Sequence, residues 1–414
     1  MKILQQQLVR HSPFAGLMGG GAILGIARSL TLAILLSAAD FGLYSIAVAV
    51  VMFFAPLPGL GLIEETRKQF PRFHAGGDGN EIVPRSDRIA RLAAGRTAAI
   101  GTIAALAAIL VGKPTLALLV VPLTMLSFGN AWASILASAL RAGGTTMPLA
   151  VTAFIRALLT FPLTVGAAYQ FGLEGALWGE ACGAALGCLA MRIALARLHP
   201  GPAAAIARFS GRASRAGMLV FAGGLLVSAP FYLNRPVAAL TMSPAEVGTL
   251  SLILVLVGAL QTTTGIADQV TGPRLVHWQH QGMEMVRQKR RFFAIAAALA
   301  LVSLTAFLAM GIGLHLPWIA PLVEKYGLSS ALLLPAAILA ALNITSTADW
   351  MLQAHDREPV ITFAAACNLA VFGVLSFLVV GGIVELQSYI WGLAAAKLCQ
   401  LSVQFFVIGR LSDR

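Results

Sequence analysis

The chain has 414 residues, of which 58% are apolar and 11% charged, with a mean hydropathy of +0.82; soluble domains are about a quarter charged. This composition leaves no room for a soluble catalytic domain. The net charge of +12 is spread over loops, where it serves as topology signal and anionic-lipid contact, and no nucleic-acid partner is implied.

A helix needs about 20 apolar residues to cross the hydrocarbon layer. On that criterion the first half of the chain predicts spans near 14–36, 41–63, 93–112, 115–140, 147–171 and 173–196, and the second half spans near 217–240, 247–270, 292–314, 328–352, 359–383 and 388–409. The runs are continuously apolar, which fits helices; lipid-spanning strands alternate over about ten residues. The run from Pro13 to Leu36 exceeds the roughly 7 to 15 residues of a signal-peptide core, and a second run starts at Phe41, so it reads as the first span.

With the N-terminus inside, 23 of the 29 basic residues fall in cytoplasmic loops and only Lys113 and Lys325 outside. That asymmetry predicts both termini in the cytoplasm. Cys182, Cys188, Cys367 and Cys399 all lie inside apolar runs, away from disulfide or zinc spacings, and His277 and His280 beside Trp278 read as a polar loop. No cofactor or metal is expected.

Self-similarity appears at half the chain length. Leu36 to Ser45 aligns with Met242 to Ser251 at an offset of 206, Arg141 to Pro148 with Gln353 to Pro359, and Ala176-Leu177-Trp178-Gly179 with Tyr389-Ile390-Trp391-Gly392. Six spans per copy is an even number, so the copies are parallel repeats. The expectation is an all-α integral membrane protein of about twelve helices. Residues 1–196 and 217–414 form two six-helix lobes around a central cavity, joined by a cytoplasmic linker at 197–216.

Ionisable residues at depth cost from about 2.5 to more than 10 kcal/mol and seldom persist without a task. Arg28, Arg156, Arg235 and Lys397 are cations inside spans, and Arg28 and Arg235 lie one residue off the repeat offset. The acids are Glu180, Asp268 and Asp349, the last two near cytoplasmic span ends. Each cation either snorkels or pairs for packing alone, or lines a cationic cavity for an anionic group, where Arg offers a planar fork of donors. Glu180, the deepest acid, is a candidate proton or sodium site, as is Asp268, and a salt bridge to a lumen Arg is the competing reading of Glu180. Breakers such as Pro56-Leu57-Pro58-Gly59-Leu60-Gly61, Pro122, Pro162, Asn234-Arg235-Pro236 and Pro335 kink or unwind their spans.

Four stretches carry a family likeness: Ser37 to Tyr44, Gly59-Leu60-Gly61, the Arg141 turn before Pro148, and Phe171 to Gly179. They resemble the Wzx-type polysaccharide exporters of the multidrug/oligosaccharidyl-lipid/polysaccharide (MOP) superfamily. The resemblance implies movement of an undecaprenyl-diphosphate-linked oligosaccharide across the bacterial inner membrane. Its partners would be membrane lipids, a polysaccharide polymerase and a chain-length regulator. It also implies a basic cavity, carried here by Arg28, Arg156, Arg235 and Lys397 by position and type. A drug or cation antiporter of the same superfamily would share the fold but hold deep acids. A membrane glycosyltransferase or polymerase would need a sizeable outer loop, and the longest here runs only from about His315 to Gly327.

Overall fold

Inside lipid every backbone N–H and C=O must be satisfied within its own segment, and continuously apolar runs meet that demand as helices. A computed structural model describes residues 2–75, 77–112, 114–142, 147–199, 213–280, 283–313, 316–317 and 320–411. All regular structure among the described residues is helical.

The first half comprises α1 (Lys2–Leu35), α2 (Ala38–Phe54), α3 (Leu62–Ala75), α4 (Ile82–Leu110), α5 (Pro114–Arg141) and α6 (Met147–Leu198). The second comprises α7 (Arg215–Tyr232), α8 (Asn234–Ala238), α9 (Pro244–His280), α10 (Met285–Gly313), α11 (Ala320–Tyr326), α12 (Ser330–Ala341), α13 (Thr345–Ala354), α14 (Glu358–Val380) and α15 (Leu386–Arg410). Among the described residues ten helical stretches are long and apolar enough to cross a membrane, and Gly217–Tyr232 is a shorter apolar helix. The chain is a multi-pass membrane protein. The count of twelve crossings and the orientation rest on the sequence alone.

One of the ten, α6, has 52 residues, about 78 Å at 1.5 Å per residue against a hydrocarbon layer of about 30 Å. It folds back at Gly172, whose φ of 59° and ψ of −135° suit a residue without a Cβ. Its two arms then pack through small residues. A Cβ added at Gly175 would strike the Ala167 carbonyl, one at Gly179 the Leu163 carbonyl, and one at Gly183 the Thr160 backbone. This four-residue spacing of glycine lets the arms approach closely, as small residues do in membrane helix pairs.

Contacts divide the chain into two compact units. Unit 1 takes residues 1–36 and 46–225; unit 2 takes residues 37–45 and 226–414. Within unit 1, α6 packs along both α1 and α5, and α5 along α4. The Pro56–Gly61 stretch breaks the second span as expected, with a short 3-10 turn at Leu57–Gly59 and positive φ at Leu60 and Gly61. The guanidinium of Arg96 donates to the Pro58 carbonyl at 2.9 Å, satisfying a group that the break exposes. Phe70, Ile82, Ile135, Leu136 and Leu195 anchor this unit's apolar core.

Unit 2 has its own core around Leu275, Phe292, Ala348, Met351 and Ile408. It also takes in the turn Ser37–Ser45 from the first repeat. Both copies of the repeated turn cap the following helix the same way: Ser37 Oγ accepts from the Asp40 N–H at 3.0 Å, and Ser243 Oγ from the Glu246 N–H at 3.3 Å. Phe41 stands edge-on to Tyr326, their centroids 5.9 Å apart. Gly42 lies against the Pro244 carbonyl, and Gly248 against the Ala38 carbonyl.

Candidate functional site

In unit 1 the packing of α1 on α6 brings Arg28 to Glu180. Arg28 Nη1 lies 2.8 Å from Glu180 Oε1, with the two side chains 21% and 5% exposed. The other carboxylate oxygen accepts from the Thr164 hydroxyl at 3.2 Å, so both arms of α6 and α1 converge on one buried acid. Two charges removed from water repay the desolvation only when well paired and hydrogen-bonded, and this pair meets that condition.

Arg156, on the first arm of α6, is seated differently. Its aliphatic stem runs through the notch left by Gly187 on the second arm, where any Cβ would strike the Arg156 side chain. Its Nη2 donates to Asn130 Oδ1 on α5 at 2.5 Å. The Gly ladder of α6 thus fixes the height of a guanidinium as well as joining two arms.

In unit 2 a one-residue break at Leu233 separates α7 from the five-residue α8, which opens with Asn234-Arg235-Pro236. Pro236 has no N–H to donate, and the Asn234 side-chain amide serves this stretch, donating to the Pro230 and Phe231 carbonyls at 3.1 and 2.8 Å. From α15 the Tyr389 hydroxyl donates to the Asn234 carbonyl at 2.7 Å. These bonds hold the break in place and leave Arg235 beside a pocket.

Lys397 of α15 lines the same pocket as Arg235, together with Asn234, Asn343 and Asn368 and an apolar wall that includes Phe231, Leu254 and Leu339. Lys397 Nζ lies 3.3 Å from Gln400 Oε1, which also accepts from Asn368 Nδ2 at 2.7 Å. Among the described residues neither cation forms a salt bridge. Asp349 is the acid whose charge reaches Lys397, and its carboxylate accepts from Gln404 Nε2 at 2.6 Å.

The sequence-derived residues therefore fall in two groups: Arg28, Arg156 and Glu180 in unit 1, and Arg235 and Lys397 in unit 2. The side chains of Asp268, His277, Trp278 and His280 lie outside the described residues. Sequence reasoning missed the amides Asn130, Asn343, Asn368 and Gln400, as well as Gly187. A signal for the amides was present, because a carboxamide inside an apolar span is costly without a partner. A signal for Gly187 was the four-residue spacing of Gly175, Gly179, Gly183 and Gly187.

No family model matches the chain, and no curated protein matches its sequence. Solved structures do match in fold. Lipid II flippase MurJ in an inward closed conformation aligns with a TM-score of 0.66 at 12% identity, over 96% of this chain and 87% of that one. A MOP superfamily transporter from Pyrococcus furiosus, described as having a binding pocket of reversed polarity, aligns at 0.59 and 14%, over 96% and 94%. The MATE multidrug transporter DinF-BH aligns at 0.57 and 14%, over 98% and 95%. The chain shares its fold with these solved structures. These structural neighbours are membrane transporters and flippases, and at such identities the likeness speaks for fold and not for substrate.

Proposed function

We propose that this protein flips a polyprenyl-diphosphate-linked oligosaccharide, the repeat unit of an O-antigen, exopolysaccharide or capsule, from the cytoplasmic to the periplasmic leaflet of the bacterial inner membrane by alternating access. The observation that carries the reading is the sign of the charge at depth. Four basic side chains lie within the spans, and the pair Arg235 and Lys397 shares one pocket with no salt bridge among the described residues. At the lenient cost of about 2.5 to 3.5 kcal/mol for each cation at a helix centre, these two together would oppose folding by about 5 to 7 kcal/mol, comparable with the stability of a small domain. An anionic substrate, held through the guanidinium fork and the ammonium, offsets that cost. The likeness to a lipid II flippase supports a lipid-linked cargo, delivered onward to a polysaccharide polymerase and its chain-length regulator.

Export of polysaccharide in a strain carrying Arg235→Ala or Lys397→Ala should fall to background at normal protein levels. Arg235→Lys should restore it only in part, because an ammonium lacks the bidentate fork. Normal export by both alanine variants would sink the proposal. The drug-antiporter reading has one observation in its favour, the buried acid Glu180 on α6. Glu180 and Asp268 are the candidate coupling residues under either reading. Loss of cationic-dye efflux in Glu180→Gln, with polysaccharide export intact, would select the antiporter.

A further inference from the structure

Unit 1 gathers, outside its spans, a second set of groups that transport does not use. The end of α3, the turn that follows it and the end of α6 meet where His74 and His199, distant in the chain, stand edge-on with ring centroids 6.1 Å apart. The turn folds back on α3: the Gly77 N–H donates to the His74 carbonyl at 3.3 Å, and the Asp78 N–H to the Phe73 carbonyl at 2.9 Å. That brings Gly79 in front of both rings. A Cβ there would lie 3.5 Å from His199 Nδ1 and 3.9 Å from His74 Nδ1, so two ring nitrogens border one point that the missing side chain leaves open. His74 is exposed and His199 half-buried, and a small ion can reach them from water.

We infer that His74 and His199 chelate a divalent transition-metal ion of the Zn²⁺, Ni²⁺ and Cu²⁺ class in front of Gly79, through their Nδ1 atoms. Two imidazoles bound to one ion at about 2.1 Å hold their ring centres about 5 to 5.5 Å apart. Closing the observed 6.1 Å takes a shift of under about 1 Å, which the broad χ2 of histidine supplies. Imidazole suits these ions, whereas Mg²⁺ and Ca²⁺ take oxygen ligands. A ligand imidazole must also be neutral, and burial, then the charge of His74, favours that form of His199. As packing alone the pair is a poor one, because protonation of one ring opposes protonation of the other. Glu81 of the same turn is held by Arg85 at 2.7 Å, and among the described residues no third histidine, cysteine or carboxylate completes the set. Water therefore fills the remaining positions, and the ion exchanges, unlike one in a closed four-ligand structural site. When bound it ties the turn before α4 to the end of α6.

The test uses the full-length protein in detergent, purified through a tag without histidine. One equivalent of Cu²⁺ should give an electron paramagnetic resonance signal split by two nitrogen ligands. His74→Gln and His199→Gln should each reduce that to one nitrogen, while His277→Gln/His280→Gln, which removes the other histidine pair close in sequence, should leave it unchanged. Zn²⁺ at ten times its Kd should slow hydrogen exchange at residues 77–81 about tenfold; it should not do so in either single variant, and Mg²⁺ should have no effect. Gly79→Val keeps both histidines, fills the point between their nitrogens, and should lose both responses. All three variants should melt with the wild type in EDTA, and Gly79→Val keeps the test decisive if a histidine variant does not. A two-nitrogen signal that survives either histidine substitution, or equal protection by Mg²⁺ and Zn²⁺, would overturn the site. Exchange at 77–81 that no metal alters would leave the pair as packing only.

Discussion

Arg28 and Arg235 occupy near-equivalent places in the two repeats, on the first span of each, yet they meet opposite environments. Arg28 faces a carboxylate at 2.8 Å that is itself hydrogen-bonded by Thr164. Arg235 stands in the short helix α8 near Asn234 and the tyrosines Tyr232 and Tyr389, with no salt bridge among the described residues. The same residue type at near-equivalent repeat positions thus meets a carboxylate in one unit and no carboxylate among the described residues in the other. A duplicated frame fixes where a cation enters the membrane; the partners that later substitutions place around it decide whether it braces the helices or binds.

The sharpest way to break this comparison is to remove the cation of unit 1. Arg28→Ala removes the cation that faces the buried Glu180, and breaking a buried pair by removing one partner costs about 3 to 5 kcal/mol. The melting temperature should fall by several degrees, and the double variant Arg28→Ala/Glu180→Ala should recover much of the loss. If Arg28→Ala were as stable as the wild type, Arg28 would belong with Arg235 and the contrast would disappear. A smaller effect, about 1 to 3 kcal/mol, is expected from Gly187→Val, which overpacks the notch that holds the Arg156 stem. There the outcome should be a lower melting temperature with impaired export, whereas Gly95→Ala, at a site open to added volume, should change neither.

The smallest effect is one of pH. His199, at the end of α6, sits edge-on to His74 with centroids 6.1 Å apart, and burial, then the charge of His74, holds its pKa below the ordinary 6.5. Its neutral form is therefore favoured in the folded state, and the stability it contributes is present above pH 6.5 and lost as pH falls through the lowered value. Hydrogen exchange at the end of α3 should quicken slightly on acidification below about pH 6.5, and His199→Gln should remove that step. An acid-induced change that survives the substitution would place its origin elsewhere.

Much of this architecture could be read from the chain, and the reasons differ by feature. The break at Pro56–Gly61 follows from proline and glycine chemistry that acts locally and occurs where expected, whereas the seventh span breaks at Leu233, just before Asn234-Arg235-Pro236, which is helical. The four basic positions stood out because a charge in an apolar run is an outlier in any window. Their partners did not, since pairing Arg28 with Glu180 requires α1 to lie along an arm of α6 more than a hundred residues away, and the salt bridge was only one of two readings for that acid. Asn130, Asn368 and Gln400 escaped notice for another reason: a carboxamide carries no charge to mark it in an apolar run, although its need for a partner is strict once buried. The offset of 206 was legible as an alignment, but nothing in it said that the two aligned turns would touch.

That they touch within unit 2 has a consequence for how the repeat is built. Gly42 approaches the Pro244 carbonyl and Gly248 the Ala38 carbonyl, and each of these pairs maps onto the other when the repeat positions are exchanged. A contact that is its own mirror under exchange of partners is isologous, the form found where two identical subunits meet across a dyad. The turn has the form of such an interface inside a single covalent chain. Its geometry accordingly comes in two copies, and a side chain added at one glycine leaves the twin contact to be tested by the same substitution 206 residues away.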